Sequence, residues 1–213
     1  MSARFSKLPN LLTSLLFPER CVACHKTGAL VCAICAATLH PLIRHAPGIP
    51  ATWSCVSYHN PIIKRLFREW KYRGNRHAEE ILIPLFLEGC KQMNLSHHDV
   101  LVPVPTQRSH NNQRGFAPPQ TLAFLLQQHY GCPTQDILHY ARPVKRQASL
   151  GLAKRKENMH NALVVRKGTT IVPRSAILID DVVTSGATLA AAAHALTQHG
   201  ARDIRAITLA WNP

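Results

Sequence analysis

From residue 53 onward, apolar residues follow two alternating spacings, which predict strands and helices. Short apolar runs predict strands at residues 53–58, 99–105, 136–140, 176–180 and 204–210. Apolar positions three and four apart predict helices after Asn60-Pro61 and at residues 78–93, 118–130 and 186–199, with Gly131 and Gly200 as C-terminal caps. Strands that alternate with helices of this length predict an α/β fold, a parallel sheet flanked by helices.

The first 50 residues have a different pattern. Leucines recur at helical spacing near the N-terminus, which predicts a short amphipathic helix; these are Leu8, Leu11, Leu12, Leu15 and Leu16. Residues 41–50 are rich in Pro, His and Gly, which is typical of a linker. We therefore predict a small domain at residues 1–50 and a larger one at residues 51–213. Neither a secretory signal nor a run of about 20 apolar residues is recognised, so we expect a cytoplasmic protein without a stable membrane span.

Charge is the unusual feature of the composition. The 213 residues include 25 Lys and Arg but 11 Asp and Glu, a formal net charge of +14, while 46% of residues are hydrophobic. The apolar content excludes a disordered tail, and the positive excess favours a polyanionic partner such as nucleic acid. A generally basic protein without such a partner is the alternative. Residues 64–76 carry six cations against Glu69, and residues 142–167 carry eight against Glu157.

Four of the seven cysteines are closely spaced in two pairs, Cys21-x2-Cys24 and Cys32-x2-Cys35. A two-residue gap lets both thiolates of a pair face one centre, so two pairs can complete a tetrahedral zinc site. Four protein ligands leave no open position, and we therefore predict structural Zn²⁺; disulfides or a redox pair are the alternatives. Cys55, Cys90 and Cys132 stand in apolar surroundings and are interpreted as core thiols.

The sharpest chemical signal follows the apolar run at residues 176–179. Two acids, two valines and a hydroxyl-glycine-hydroxyl turn lead into a helix: Asp180, Asp181, Val182, Val183, Thr184, Ser185, Gly186, Ala187 and Thr188. Backbone N–H groups at a helix N-terminus can hold a phosphate, and the two carboxylates can accept hydrogen bonds from vicinal ribose hydroxyls. The corner therefore predicts a ribose 5-phosphate ligand, with an ordinary polar strand-turn-helix corner as the alternative.

This corner resembles the phosphoribosyl pyrophosphate (PRPP) signature of type I phosphoribosyltransferases, in which two acids contact the ribose and the following loop binds the 5-phosphate. The resemblance implies that this fold is present and that PRPP binds, with Mg²⁺ on its pyrophosphate. It also assigns Pro105 and Thr106 to the pyrophosphate-side loop, with Arg108 and Arg114 as cationic neighbours. The segment at residues 142–167 resembles the mobile loop that closes over ligand in that family.

A narrower resemblance covers nearly the whole chain. The cysteine pairs are followed by Lys71-Tyr72-Arg73-Gly74, Val102-Pro-Val-Pro105, Arg114-Gly115-Phe116 and then the PRPP-like corner. This order is similar to the ComF family, also called GntX or ComFC, which is linked to DNA uptake and natural transformation. The resemblance implies single-stranded DNA as a partner, together with competence proteins such as a ComFA-like translocase and a DprA-like recombination loader.

The basic zones supply the candidate nucleic-acid residues, which are Lys71, Tyr72, Arg73, Arg114, Lys154, Arg155 and Lys156. Trp70 and Tyr72 interleave with cations, as expected where bases stack while phosphates are neutralised. Trp70 is alternatively part of the apolar stripe of its helix, which makes Tyr72 the better stacking candidate.

Two functional classes remain. The first is a DNA-handling protein that binds single-stranded DNA and PRPP. The second is an active phosphoribosyltransferase of unknown acceptor, for which the sequence reveals neither an acceptor-binding segment nor a general base.

Overall fold

The computed structural model describes residues 18–44, 51–106, 115–143, 161–170 and 172–212. The chain divides into two compact units, Met1–His40 and Pro41–Pro213. The predicted N-terminal leucine helix lies outside the described residues. Residues 42 and 44 pair with the strand that contains Cys55, through a hydrogen bond from Leu42 N to Cys55 O of 2.6 Å. Part of the predicted linker thus belongs to the second unit, and the predicted boundary after residue 50 stays a prediction.

The first unit is built around its cysteines. An antiparallel bridge joins Arg20 to Thr27, and a short helix α1 (Ala33–Ala36) follows the second cysteine pair. Leu30, Val31 and Leu39 are buried. Within the described part of this unit, these three apolar side chains are too few for an independent core, so bound metal would have to contribute to its folding.

The second unit contains a parallel four-stranded sheet, as predicted. Its strands are β1 (Thr52–Ser57), β2 (Val100–Pro103), β5 (Ser175–Val183) and β6 (Asp203–Trp211), in the spatial order β1-β6-β5-β2. A second, antiparallel pair is formed by β3 (Leu138–Tyr140) and β4 (Leu163–Val165). Strand β4 was not predicted, because residues 142–167 were interpreted as a mobile loop. Residues 144–160 of that segment lie outside the described part.

Two helices connect β1 to β2. Helix α2 (Pro61–Arg73) begins as predicted, because Asn60 Oδ1 accepts hydrogen bonds from the backbone of Ile62 and Ile63, and it ends at Gly74 with a φ of 60°. Helix α3 (Arg76–Cys90) contains Pro84 and continues as a 3-10 turn, Lys91–Met93. It starts two residues before the predicted 78, since the side chain of Asn75 caps it.

The remaining helices also match their patterns. Helix α4 (Pro118–Tyr130) has the predicted bounds and ends at Gly131. Helix α5 (Ala187–Thr197) follows β5, and hydrogen bonds from Gly200 N to Thr197 O and from Ala201 N to Leu196 O close it in a Schellman motif. Gly200 therefore has the predicted capping role. Among the described residues, no helix is both long and apolar enough to cross a bilayer.

The core lies on both faces of the sheet. On one face, Val102, Leu178 and Ala206 pack in a cluster with α5 and the β3-β4 pair. The alternate residues Leu101, Ile177 and Ile207 are fully buried, and α3 and α4 contact these strands. Helices on both faces force the strands to be apolar throughout, which is why the strand signal was a continuous apolar run.

Candidate functional site

The carboxyl edge of the sheet brings together the two loops that the resemblance assigned to PRPP. β2 and β5 are adjacent and parallel, and the last residue of β2, Pro103, pairs with Ile179. Val104 N donates to Ile179 O at 2.9 Å, and the chain then leaves through Pro105 and Thr106. Because β5 continues past this point, its acids project beyond the end of β2. The strand was predicted to stop at Asp180, but β5 continues to Val183. Val182 and Val183 therefore belong to the strand rather than to the turn.

The turn after β5 has the backbone that anion binding requires. Gly186 is the N-cap of α5 and adopts a left-handed φ of 72°, a conformation that other L residues rarely adopt. Ser185 Oγ accepts a hydrogen bond from Ala187 N at 3.4 Å. Thr184, Ser185 and Thr188 are half-buried, so their hydroxyls are within reach of solvent. N–H groups in the first turn of α5 favour an anion there through the helix dipole.

The acid doublet sits next to this turn. Asp180 Oδ1 accepts a hydrogen bond of 2.7 Å from the backbone N–H of Asp181. Burial, together with the negative charge of Asp181, raises the pKa of Asp180 to about 8, although the backbone hydrogen bond and Lys71 act to lower it. A carboxyl group that titrates near neutral pH can accept from a hydroxyl when ionised and donate when protonated.

Asp181 is held by a lysine from another element. The Nζ atom of Lys71, in the last turn of α2, lies 2.5 Å from Asp181 Oδ2, and the two side chains are 14% and 15% exposed. The same ammonium lies 5.0 Å from the centroid of the Phe67 ring. The sequence analysis grouped Lys71 with the nucleic-acid residues, whereas the structure joins it to the acid doublet. No local pattern signals this contact, since residues 71 and 181 meet through the tertiary fold.

Tyr140 is the second residue at this site that sequence reasoning missed. Burial raises its pKa to about 12, and the charge of Asp180 contributes to the shift. Tyr140 ends β3, whose pairing with β4 was not predicted. Because its pKa is raised, the phenol of Tyr140 stays protonated at neutral pH and can donate a hydrogen bond.

The basic zone on α2 separates into a buried and an exposed part. Trp70 is 2% exposed and belongs to the core, which confirms the structural interpretation of this residue. Tyr72 is 60% exposed, as a stacking residue would have to be. Arg73 is exposed and forms an ion pair of 2.8 Å with Glu69 one turn earlier. The other predicted cations, Arg108, Arg114, Lys154, Arg155 and Lys156, lie outside the described residues.

The four predicted metal ligands form one cluster. The sulfur atoms of Cys21, Cys24, Cys32 and Cys35 all lie within 4.8 Å of one another, and those of Cys24 and Cys32 are 3.6 Å apart. Tetrahedral zinc with Zn–S bonds of about 2.3 Å requires sulfurs about 3.8 Å apart, so this donor set fits the metal. Hydrogen bonding from the Cys24 backbone lowers the pKa of Cys21 to about 6, which favours the thiolate that binds metal.

The other three cysteines are core residues. Cys55, Cys90 and Cys132 are each at most 1% exposed, which confirms that they are buried thiols. Burial also raises the pKa of Cys132, so it stays in the unreactive thiol form.

One domain model and one solved structure are similar to parts of this chain. The phosphoribosyl transferase domain model matches residues 114–213, the part of the chain that contains the acid doublet and the turn before α5. In the structure of the allosteric regulatory enzyme of purine biosynthesis, the similar region covers 67% of this chain and 30% of that chain, with a TM-score of 0.41 and 17% identity. The domain match makes this part of the chain similar to phosphoribosyl transferase domains.

Three relatives are similar to most of this chain. The DNA utilization protein YhgH of Salmonella typhimurium is 25% identical over 90% of this chain and 96% of its own length. The competence protein ComFC of Bacillus subtilis is 26% identical over 71% of this chain and 60% of its own length. ComFC of Streptococcus pneumoniae is 26% identical over 76% of this chain and 69% of its own. The chain is therefore similar to YhgH and ComFC proteins, the resemblance that the motifs indicated.

Proposed function

We propose that this chain handles single-stranded DNA during competence and DNA uptake, and that it binds PRPP at the carboxyl edge of its sheet. The names of its relatives, competence protein and DNA utilization protein, support a role of this kind. We further propose that it works in the cytoplasm beside proteins such as a ComFA-like translocase and a DprA-like loader.

One observation carries the PRPP part of the proposal. Two carboxylates, Asp180 and Asp181, stand at the end of β5 directly before the N-terminus of α5. A ligand with a ribose diol and a 5-phosphate would satisfy both groups, because the carboxylates accept from hydroxyls while the helix N-terminus attracts the anion. Mg²⁺ would accompany the pyrophosphate, since it prefers phosphate and carboxylate oxygens.

Calorimetry with PRPP and Mg²⁺ tests this part. We expect Asp181→Asn to weaken PRPP binding tenfold or more, because the amide is uncharged and replaces one of the two acceptor oxygens with a donor. Asp136→Asn is the matched control: Asp136 is exposed and pairs with Arg166 away from the doublet. Equal PRPP affinity in the parent and Asp181→Asn would contradict the proposal.

The DNA part depends on charge and on one exposed aromatic side chain. The net charge of +14 provides the attraction, and Tyr72 projects from the end of α2 beside Arg73. Stacking of a base on an aromatic ring contributes about 1–3 kcal/mol, and binding of this kind weakens strongly with salt.

Fluorescence anisotropy with labelled single-stranded DNA at several salt concentrations tests the DNA part. We expect a steep salt dependence, and a loss of fivefold or more for Tyr72→Ala. Phe124→Ala is the control, because Phe124 is an aromatic residue of similar exposure, 57%, on α4. Salt-independent binding, or equal losses for the two variants, would argue against this interface.

A second candidate, an active phosphoribosyltransferase of unknown acceptor, is favoured by the raised pKa of Asp180, about 8, since a carboxyl that titrates near neutral pH can exchange a proton with an acceptor. Incubation with PRPP, Mg²⁺ and nucleobases, and then with DNA, tests it through pyrophosphate release. Pyrophosphate release that requires the added acceptor, and that Asp180→Asn abolishes, would establish transfer, while DNA binding without release would favour the carrier.

A further inference from the structure

We propose that Lys71, which pairs with the acid doublet, also binds the ligand. It would select ligands that carry a second anionic group besides the 5-phosphate. This inference rests on the proposed PRPP site and deepens it. The Lys71 ammonium is 2.5 Å from Asp181, and both side chains are mostly buried, at 14% and 15% exposure. Lys71 therefore faces the carboxyl edge of the sheet rather than the solvent around α2.

The ammonium has capacity left for a ligand. A lysine carries three N–H donors and no acceptor, and among the described residues the ion pair with Asp181 uses one of them. The Phe67 ring, 5.0 Å away, covers another side of the ammonium by a cation–π contact. The ion pair and the ring hold the lysine in place, so a ligand anion beside Asp181 would meet a positioned charge at little cost in side-chain order.

The site then has two separate places for negative charge. The N-terminus of α5 favours one anion, and Lys71 offers the second beside the carboxylate that would take the ribose hydroxyls. Ribose 5-phosphate has one phosphate and would use the helix. PRPP has, in addition, a pyrophosphate on C1, which can reach a cation near the diol. Lys71 would thus favour PRPP over ribose 5-phosphate.

Lys64 provides the matched control. It lies on α2 two turns before Lys71, on the exposed surface. Both lysines carry the same charge on the same helix, but Lys71 is the one bound to the doublet. A general effect of positive charge would appear in both variants, whereas a specific role at the site would appear in Lys71 alone.

The experiment measures the dissociation constants of PRPP and ribose 5-phosphate, with Mg²⁺, for the parent, Lys71→Gln, Lys71→Arg and Lys64→Gln. The readout is the ratio of the two constants. We expect Lys71→Gln to reduce the preference for PRPP tenfold or more, Lys71→Arg to retain most of it, and Lys64→Gln to change it less than threefold. Glutamine can still donate to Asp181, which limits damage to the fold; Lys71→Met is a second neutral variant if Lys71→Gln unfolds.

The measured constants separate failure of the Lys71 inference from failure of the proposed PRPP site. A folded Lys71→Gln or Lys71→Met protein that keeps the full preference, or an equal loss in Lys64→Gln, overturns the inference while the PRPP site stands. A parent protein that does not bind PRPP contradicts the proposed function and the inference together.

Discussion

The ring of Phe116 packs on the ring of Trp70, with centroids 5.6 Å apart and ring planes at 43°. Phe116 follows Gly115 just before α4, and Trp70 is buried in α2, the helix that carries Lys71. Trp70 also contacts Phe67 edge-on, at 6.1 Å between centroids. This contact connects the Arg-Gly-Phe segment to the helix that supplies a cation to the acid doublet.

We predict that Phe116→Ala lowers the free energy of unfolding by about 2 kcal/mol, because a half-buried aromatic side chain loses its apolar contact and its ring partner. Urea unfolding measures the change. Phe124→Ala, at an exposed position of α4, should change stability by less than about 0.5 kcal/mol. Equal effects of the two substitutions would show that the Trp70 contact contributes nothing.

Gly89 marks a close approach between α3 and β1. A Cβ atom on Gly89 would lie 2.6 Å from both Cβ and Sγ of Cys55, a distance that requires a shift of structure. We predict that Gly89→Ala destabilises the protein by about 1–3 kcal/mol, despite the better helix propensity of alanine. Thermal unfolding checks this, and adding Cys55→Ala should recover part of the loss because it removes the sulfur. A stabilised Gly89→Ala protein would contradict the packing.

The cysteine cluster predicts about one zinc per chain by elemental analysis, with loss of the metal in Cys24→Ser. A hydroxyl does not replace a thiolate ligand, so the N-terminal unit should lose structure and become sensitive to proteolysis. Cys132→Ser is the control, because Cys132 is buried outside the cluster and hydrogen-bonds to Ser96 O at 3.2 Å. Zinc content equal in the two variants would rule out this site.

The raised pKa of Asp180 predicts that the stability of the protein depends on pH. Burial raises its pKa from 3.8 to about 8, so between these values the folded protein holds a proton that the unfolded chain has released. The contribution of Asp180 to the free energy of unfolding therefore falls as pH rises from about 4 to about 8. We expect Asp180→Asn to gain stability relative to the parent over this range, as measured by urea unfolding at a series of pH values.

Asp136→Asn serves as the control for this measurement, since Asp136 is half-exposed and paired with Arg166. Its difference from the parent should not grow between pH 4 and pH 8. A constant difference between Asp180→Asn and the parent across this range would show that Asp180 is ionised in the folded protein at neutral pH.

Local signals in the sequence determined most of the elements. The bounds of α4 and the caps at Asn60, Gly131 and Gly200 follow from short-range chemistry, namely side-chain capping and left-handed backbone. The spacing of the four cysteines predicted their cluster, because a two-residue gap places both thiolates on one side of a tight turn. The strand-acid-acid-turn-helix order likewise located the corner at the end of β5 without reference to the rest of the chain.

The tertiary structure decided which distant residues meet at that corner. Lys71 reaches Asp181 because α2 packs near the carboxyl edge of the sheet, and the charge of Asp180 acts on Tyr140 of β3; neither relationship has a periodicity or a spacing that a sequence could show. The pairing of β3 with β4 depends in the same way on closing a long segment of chain. Capping and ligand spacing act over a few residues and are written in the sequence, whereas the charge and protonation of a site depend on packing between remote elements.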